Sequence, residues 1–431
     1  MRQLLFFTIN LLSVIIISAQ QQIAVKGKVV SNDTHIPLSY CPIQIKGTSI
    51  STTTNEDGLF ELHCLETQKS NIILISYIGY ELYEKKISDI LNESTNVFTL
   101  KSKTFSLQEV VVQYPLSAEE VLNNVYKAAK NNLNLNNYTL GGFFRSYLKT
   151  DNVADRLIEG DIFLISNGFN EKKLNWKPFS IYANEVRATQ NTSDVREGQL
   201  HSEKNVNNLE EIITIHEHFI GEDLKGKKIY NTVEIEKSEY LDTNKIITLK
   251  LSSSNGRTDT YIKINEQNWA IEEVLYTWNA LEKDEQFYQT NVFDGDSLVP
   301  VKMKNVSDTG LIKYKNYNGK YYLSFFKRRY KKEVYAPTKH YELQINTEYA
   351  TNNIGFDKQK LFRENLIDRK ENLYKQVCQS PYHVEFWKNY NLILDNSELE
   401  KIRKDINKNA NIDEQFSDSN KYPTNGKKSK K

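Results

Sequence analysis

Thr54-Asn55-Glu56-Asp57-Gly58-Leu59-Phe60 is the stretch that decides how the first hundred residues are read. Polar residues end on a glycine, and two large apolar residues follow. Asn, Asp and Gly tolerate the backbone of a tight turn, whereas Leu and Phe suit a pleated, half-buried strand. The pattern predicts a polar tip from which a strand starting at Leu59 enters a core. Outward from it, short apolar runs alternate with turn residues: Ala24 to Ser31, Pro42 to Lys46, Leu59 to Cys64, Asn71 to Tyr77, Tyr80 to Ile87 and Asn96 to Leu100. The breaks carry Asn32-Asp33, Gly47 and Gly79. So many short strands in so short a stretch predict a β-sandwich.

Several of these runs also carry a resemblance. Gly27-Lys28-Val29-Val30, Ile36-Pro37-Leu38-Ser39-Tyr40 and Ile43-Gln44-Ile45-Lys46-Gly47-Thr48 are similar to the opening of the carboxypeptidase D regulatory-like family. The Thr54 to Phe60 stretch matches its T-x-x-x-G-x-F turn, and Ile75-Ser76-Tyr77-Ile78-Gly79-Tyr80 its S-x-x-G-Y element. Leu107-Gln108-Glu109-Val110-Val111-Val112 matches the Val-rich strand that commonly follows. The resemblance covers about residues 23 to 113. It implies a transthyretin-like sandwich serving as a non-catalytic accessory module for folding support or binding. In Gram-negative envelopes the same module often precedes the plug and barrel of TonB-dependent transporters. The residues that follow here are too few for ~22 strands of ~10 residues with a plug and long loops, so no such barrel is expected.

The N-terminus reads as an export signal. Arg2 is followed by an apolar run from Leu4 to Ile17 and by Ser18-Ala19-Gln20, which places cleavage close to Ala19. The run falls short of the ~20 apolar residues that span a bilayer, and no Cys follows to carry a lipid anchor. The chain has 56 Lys+Arg against 55 Asp+Glu, a net charge of +1, so no charge excess points to nucleic acid. Hydrophobic residues make up 39%, but 26 Tyr and 19 Phe supply the large apolar areas that β-rich cores use. The three cysteines, Cys41, Cys64 and Cys378, allow at most one internal bridge. Cys41 and Cys64 fall in neighbouring strands of the sandwich; they could pair or remain two buried thiols.

Beyond the sandwich, Ser117 and Glu120 form a capping-box pair ahead of Leu122, Val125, Ala129 and Leu133, which predicts a helix over about 117 to 132. From Tyr138 to Tyr349 strand patterns return, joined by hairpin signals such as Asn255-Gly256 and Asn318-Gly319. Consecutive hairpins imply an antiparallel sheet. The hairpin Thr260 to Asn265 into Trp269 to Val274 resembles those of periplasmic lipoprotein-carrier proteins. Pro381-Tyr382-His383-Val384-Glu385-Phe386-Trp387-Lys388-Asn389-Tyr390-Asn391 resembles the ending of uncharacterised envelope proteins that begin with the same module. Apolar residues at helical spacing suggest a helix over 357 to 378, and their scarcity past Glu400 predicts a disordered end. The expected fold is therefore mainly β: signal peptide 1–19, transthyretin-like sandwich 20–113, α+β domain with a large antiparallel sheet 114–395, and disordered polar tail 396–431.

Catalytic constellations are scarce. His63-Cys64-Leu65-Glu66 has the H-x-x-E spacing of zinc carboxypeptidases, but it ends a strand of the accessory sandwich and has no evident third ligand. His216-Glu217-His218 could present two imidazoles from a strand, again without a third ligand. Phe325-Phe326-Lys327-Arg328-Arg329-Tyr330 mixes aromatics with basic residues, and export of a near-neutral chain makes it an ordinary strand. Gly-x-Ser-x-Gly, Walker and Gly-rich dinucleotide motifs do not occur. No catalytic, cofactor-binding or metal residue is assigned, and no cofactor is expected. The expectation is a non-enzymatic envelope protein of the periplasm or outer membrane, binding an envelope protein, glycan or lipid and no nucleic acid. The alternatives are a carrier sheltering an apolar ligand on its curved sheet and a metallocarboxypeptidase-related activity.

Overall fold

The computed structural model describes residues 21–91, 96–102, 116–169, 179–190, 232–241, 244–281, 287–294, 297–356, 365–368, 373–377, 380–408 and 411–417. The signal segment, the Leu107 to Val112 strand, the His216-Glu217-His218 cluster, Cys378 and the end past Ser417 lie outside the described residues.

The protein is mainly β, with an N-terminal pair of small sheets and one large antiparallel sheet. Strand β1 (Gln22–Ser31) lies between β4 (Leu59–Leu65), antiparallel, and β7 (Asn96–Leu100), parallel. The facing sheet orders β3 (Ser51–Thr53), β2 (Pro42–Ile45), β5 (Ile72–Ile75) and β6 (Tyr83–Lys86). Alternate residues make the core between them: Phe60, Leu62 and Cys64 from β4 meet Ile43, Ile45, Ile73, Ile75 and Phe98. Cys41 and Cys64 are free, buried thiols. At the predicted tip Gly58 adopts φ +76, where a β-carbon would collide with the Val29 carbonyl. The Asn55 side-chain oxygen accepts from the backbone N–H groups of Asp57 and Leu59 at 3.0 and 2.9 Å and so fixes the turn.

The large sheet begins after helix α1 (Ala118–Asn132), whose N-cap Ser117 and Glu120 form the reciprocal capping pair that the sequence predicts. Its strands are β8 (Tyr138–Thr150), β9 (Val153–Ser166), β10 (Phe179–Gln190), β11 (Thr232–Leu241), β12 (Asn244–Ser252), β13 (Thr258–Asn265), β14 (Ala270–Asn279), β15 (Tyr288–Asp294), β16 (Ser297–Tyr317), β17 (Lys320–Tyr335) and β18 (His340–Gly355). They run in the open order β10-β9-β8-β18-β17-β16-β14-β13-β12-β11, with β15 paired to the first part of β16. Every described pairing in this sheet is antiparallel.

Residues of opposite parity along each strand face opposite sides. On one face Val121, Val125 and Ala129 of α1 join a core shared with Leu140, Phe144, Ile158, Ile162 and Phe326, the helix lying against β11, β14 and β17. On the other, Phe143 and Phe325 meet Tyr40 of the sandwich, Trp387 and Ile393. The central strands are thus covered on both sides, which is why β8 is buried along most of its length.

Two expectations need correction. The chain past residue 396 is not a disordered tail as far as Ser417. Helix α4 (Ser397–Asn407) packs Leu399, Ile402 and Ile406 on Tyr147, Ala154 and Leu157, and α5 (Ile412–Ser417) adds Phe416. Three apolar residues on one helical face suffice here because the sheet supplies the rest of the core. The helix expected over 357 to 378 is interrupted: Leu366 forms a β-bridge with Tyr182, and only the short α2 (Leu373–Val377) is helical among the described residues of that stretch. Between it and α4 lies α3 (Val384–Lys388).

Candidate functional site

The sequence motifs that carry the family resemblance converge on the junction between the sandwich and the large sheet. Asn55 donates to the Asp395 carbonyl at 3.1 Å. Glu56 accepts from the Tyr40 hydroxyl at 2.6 Å, from Asn396 at 2.7 Å and from Lys327 of β17. The Tyr40 ring stacks on Phe325 with centroids 4.2 Å apart. The C-terminal aromatic motif fills the gap beside them: Phe386 stacks on Tyr390, Tyr390 donates to Asp161 at 2.7 Å, and Arg187 lies 4.4 Å over the Trp387 ring. Burial raises the Asp161 carboxyl above its ordinary range, although hydrogen bonds from Tyr390 and Asn184 oppose this.

A buried ion network runs behind this contact. Arg145, 1% exposed, pairs with Glu159 at 2.8 Å, Asp395 at 2.9 Å and Glu348 at 3.5 Å. Arg187 and Arg403 also pair with Glu159, Arg403 with Asp395, and Lys327 links Glu348 to Glu56. The network matches Arg145, Arg187, Arg403 and Lys327 against Glu159, Asp395, Glu348 and Glu56, so the charges balance. Burial alone would raise the Glu159 carboxyl, but the guanidiniums of Arg187, Arg403 and Arg145 hold it well below the usual carboxylate range. A satisfied network of this kind fixes geometry rather than offering chemistry.

Among the described residues the junction holds a cleft of about 350 Å³. The Ser76-Tyr77-Ile78-Gly79-Tyr80 element and Gln44 form its sandwich wall, while Asn265, Glu272, Ser324 and the stretch Lys313 to Asn316 of β16 form its sheet wall. Lys313 and Lys315, two residues apart on one strand, share a face and are both buried. Burial disfavours the Lys313 ammonium, but Glu273 at 3.3 Å outweighs this and raises its pKa. Lys315 donates to the Ser51 hydroxyl and, at 3.3 Å, to the Thr351 carbonyl; it has no carboxylate partner among the described residues. Burial lowers its pKa to about 7. Nothing in the sequence marked these lysines, since they read as the polar half of a strand.

His63 and Glu66 do not form a metal site. His63 Nε2 lies 3.2 Å from Glu61 on its own strand rather than joining Glu66, and no group of three or more His, Cys, Asp or Glu able to hold a metal occurs among the described residues. No helix among them is long and apolar enough to cross a membrane.

Comparison with known proteins assigns the first unit to a class. Residues 25–112 match the CarboxypepD_reg-like domain, which agrees with the motifs that meet at the junction. Over 92 residues the chain is 37% identical to the TonB-dependent receptor SusC of Bacteroides thetaiotaomicron, a match covering 21% of this chain and 8% of that receptor. Among solved structures, a LolA superfamily protein from Nitrosomonas europaea aligns over 57% of this chain and 95% of its own, at 9% identity and TM-score 0.21. A putative membrane-associated protein of unknown function from Bacteroides fragilis aligns over 78% and 98%, at 10% identity and TM-score 0.16. Both are distant likenesses and add nothing to the geometry.

Proposed function

We propose that the chain is a non-enzymatic binding protein of the cell envelope, in which the regulatory-like sandwich and the large sheet act as one body and their shared cleft takes the ligand. The cleft carries this reading, because its walls come from both units and the ion network around Arg145 and Glu56 holds those units together. An envelope setting, periplasmic or associated with the outer membrane, is supported by the export-like N-terminus and by the identity to a TonB-dependent receptor over 92 residues. An apolar-ligand carrier would need open space between helix and sheet. The burial of Val121, Val125 and Ala129 on the sheet weighs against that along α1.

The test is to denature a native preparation, analyse what is released by mass spectrometry, and assay the intact protein on C-terminal peptide substrates with and without zinc. A stoichiometric polar molecule without peptide hydrolysis supports the reading. Stoichiometric lipid replaces it with the carrier, and chelator-sensitive hydrolysis replaces it with a peptidase.

A further inference from the structure

We propose that the cleft between sandwich and sheet binds a small hydroxylated molecule carrying a carboxylate, of the uronic-acid class, with the Lys313 to Lys315 stretch of β16 supplying the positive charge. This rests on reading the cleft as a binding site and names what it takes.

Charge is the first ground. Lys263 and Lys313 share Glu273 at 2.7 and 3.3 Å, and the lining carboxylate Glu272 accepts from Asn265 at 3.0 Å. Those two ammonium groups are matched by the two carboxylates Glu272 and Glu273, so Lys315, which has no carboxylate partner among the described residues, is the lining amine left to answer an incoming anion by taking up a proton. A buried amine that meets only neutral oxygens gains a counter-charge when an anion enters.

An unused polar group is the second ground. Ser324 lines the cleft at 5% exposure, and its hydroxyl has no hydrogen-bond partner among the described residues. Buried hydroxyls ordinarily find one.

The remaining lining decides the class. Tyr77, Tyr80 and Tyr321 stand among the amides of Gln44, Asn265 and Asn316. Amides offer donors and acceptors together, as an array of hydroxyls does, and the tyrosine rings can cover the C–H faces of a sugar. Each amide makes a bond within the protein and keeps further donor or acceptor capacity, which a lipid chain would leave unused. The volume lies at the small end of the ~300–1,000 Å³ range of ligand pockets.

Calorimetric titration of the full chain at about pH 8 tests this with digalacturonic acid, with maltose and inorganic phosphate as comparisons. Digalacturonate is expected to bind with uptake of a proton, read from the difference between two buffers of unlike ionisation heat, while maltose and phosphate bind weakly or not at all. Lys315→Met should weaken digalacturonate binding at least about tenfold without any fall in melting temperature. Tyr80→Ala, on the half-exposed sandwich wall, should weaken it as well and serves if the lysine variant fails to fold. No saturable binding of digalacturonate, equal binding of maltose or phosphate, or unchanged affinity in the folded variants overturns the proposal. A neutral polar molecule released from the native protein, with no uronate binding, sinks this proposal and leaves the cleft as the binding site.

Discussion

Asn391 treats His63 as a neighbouring strand would: its side-chain oxygen accepts from the His63 backbone N–H at 2.6 Å, and its amide donates to the His63 carbonyl at 3.2 Å. His63 lies on β4, the edge of its sheet, so its position on that edge is closed by a side chain from the far end of the chain. Removing that amide strands both backbone groups in a half-buried place. Asn391→Ala should cost about 1–3 kcal/mol, seen as a lower urea midpoint at unchanged slope. An unmoved midpoint would show that water replaces the amide at no cost.

Phe60 is 1% exposed and packs on Phe98 with ring centroids 5.5 Å apart. Phe60→Ala leaves a cavity between two sheets that cannot collapse freely and should cost about 3–5 kcal/mol. Chemical denaturation of the full chain reads this directly; a loss under a quarter of it would mean that the core repacks.

The sandwich was legible because its signals are local: Gly58 needs its turn and Phe60 its core whatever the rest of the chain does. The capping pair Ser117 and Glu120 was legible for the same reason, and its helix begins where they place it. The junction was not. Lys315 is buried because the sandwich lies over it, and no periodicity in β16 records that. Helix α4 sat between these cases. Leu399, Ile402 and Ile406 have helical spacing in the sequence, but the surrounding Glu, Lys and Asn lowered the average enough to suggest disorder, and only docking on Tyr147 and Leu157 makes the helix worth forming.

Glu159 faces three guanidiniums with no exposure. Its folded pKa is depressed below the ordinary 4.5, so its contribution is present above that value and is lost as pH falls through the acid range. Glu159→Gln leaves buried positive charge uncompensated and should cost about 3–5 kcal/mol at neutral pH. It should also flatten the decline in stability below pH 4.5, which urea melts at several pH values would show. A parallel decline in wild type and variant would assign the acid sensitivity to other carboxylates.

The export reading is open to a direct test outside the described residues. Ile15→Arg places a charge in the apolar run from Leu4 to Ile17, at a cost of up to about 2.5–3.5 kcal/mol for insertion. Cell fractionation should then find the protein retained in the cytoplasm. Undiminished export would remove the signal-peptide reading.

Lys315 should make the stability of the junction depend on pH in the direction opposite to the carboxylates. Its folded pKa is about 7 against an ordinary 10.5, with burial as the cause. Between these values the unfolded chain binds a proton that the folded protein does not, so stability rises with pH across that window. Below about pH 7 both states are protonated and the cost of burying the charge is constant. At 1.36 kcal/mol per unit the rise from pH 7 to 8.5 is on the order of 2 kcal/mol. Lys315→Met keeps much of the volume and removes the titration, so it should be more stable than wild type at pH 7, and its advantage should shrink by about 2 kcal/mol by pH 8.5. Urea midpoints of the two proteins measured at both values form the test, because the difference between them cancels every group they share, Lys313 included. A constant difference would mean that Lys315 keeps its charge in the folded protein, with water or an anion beside it.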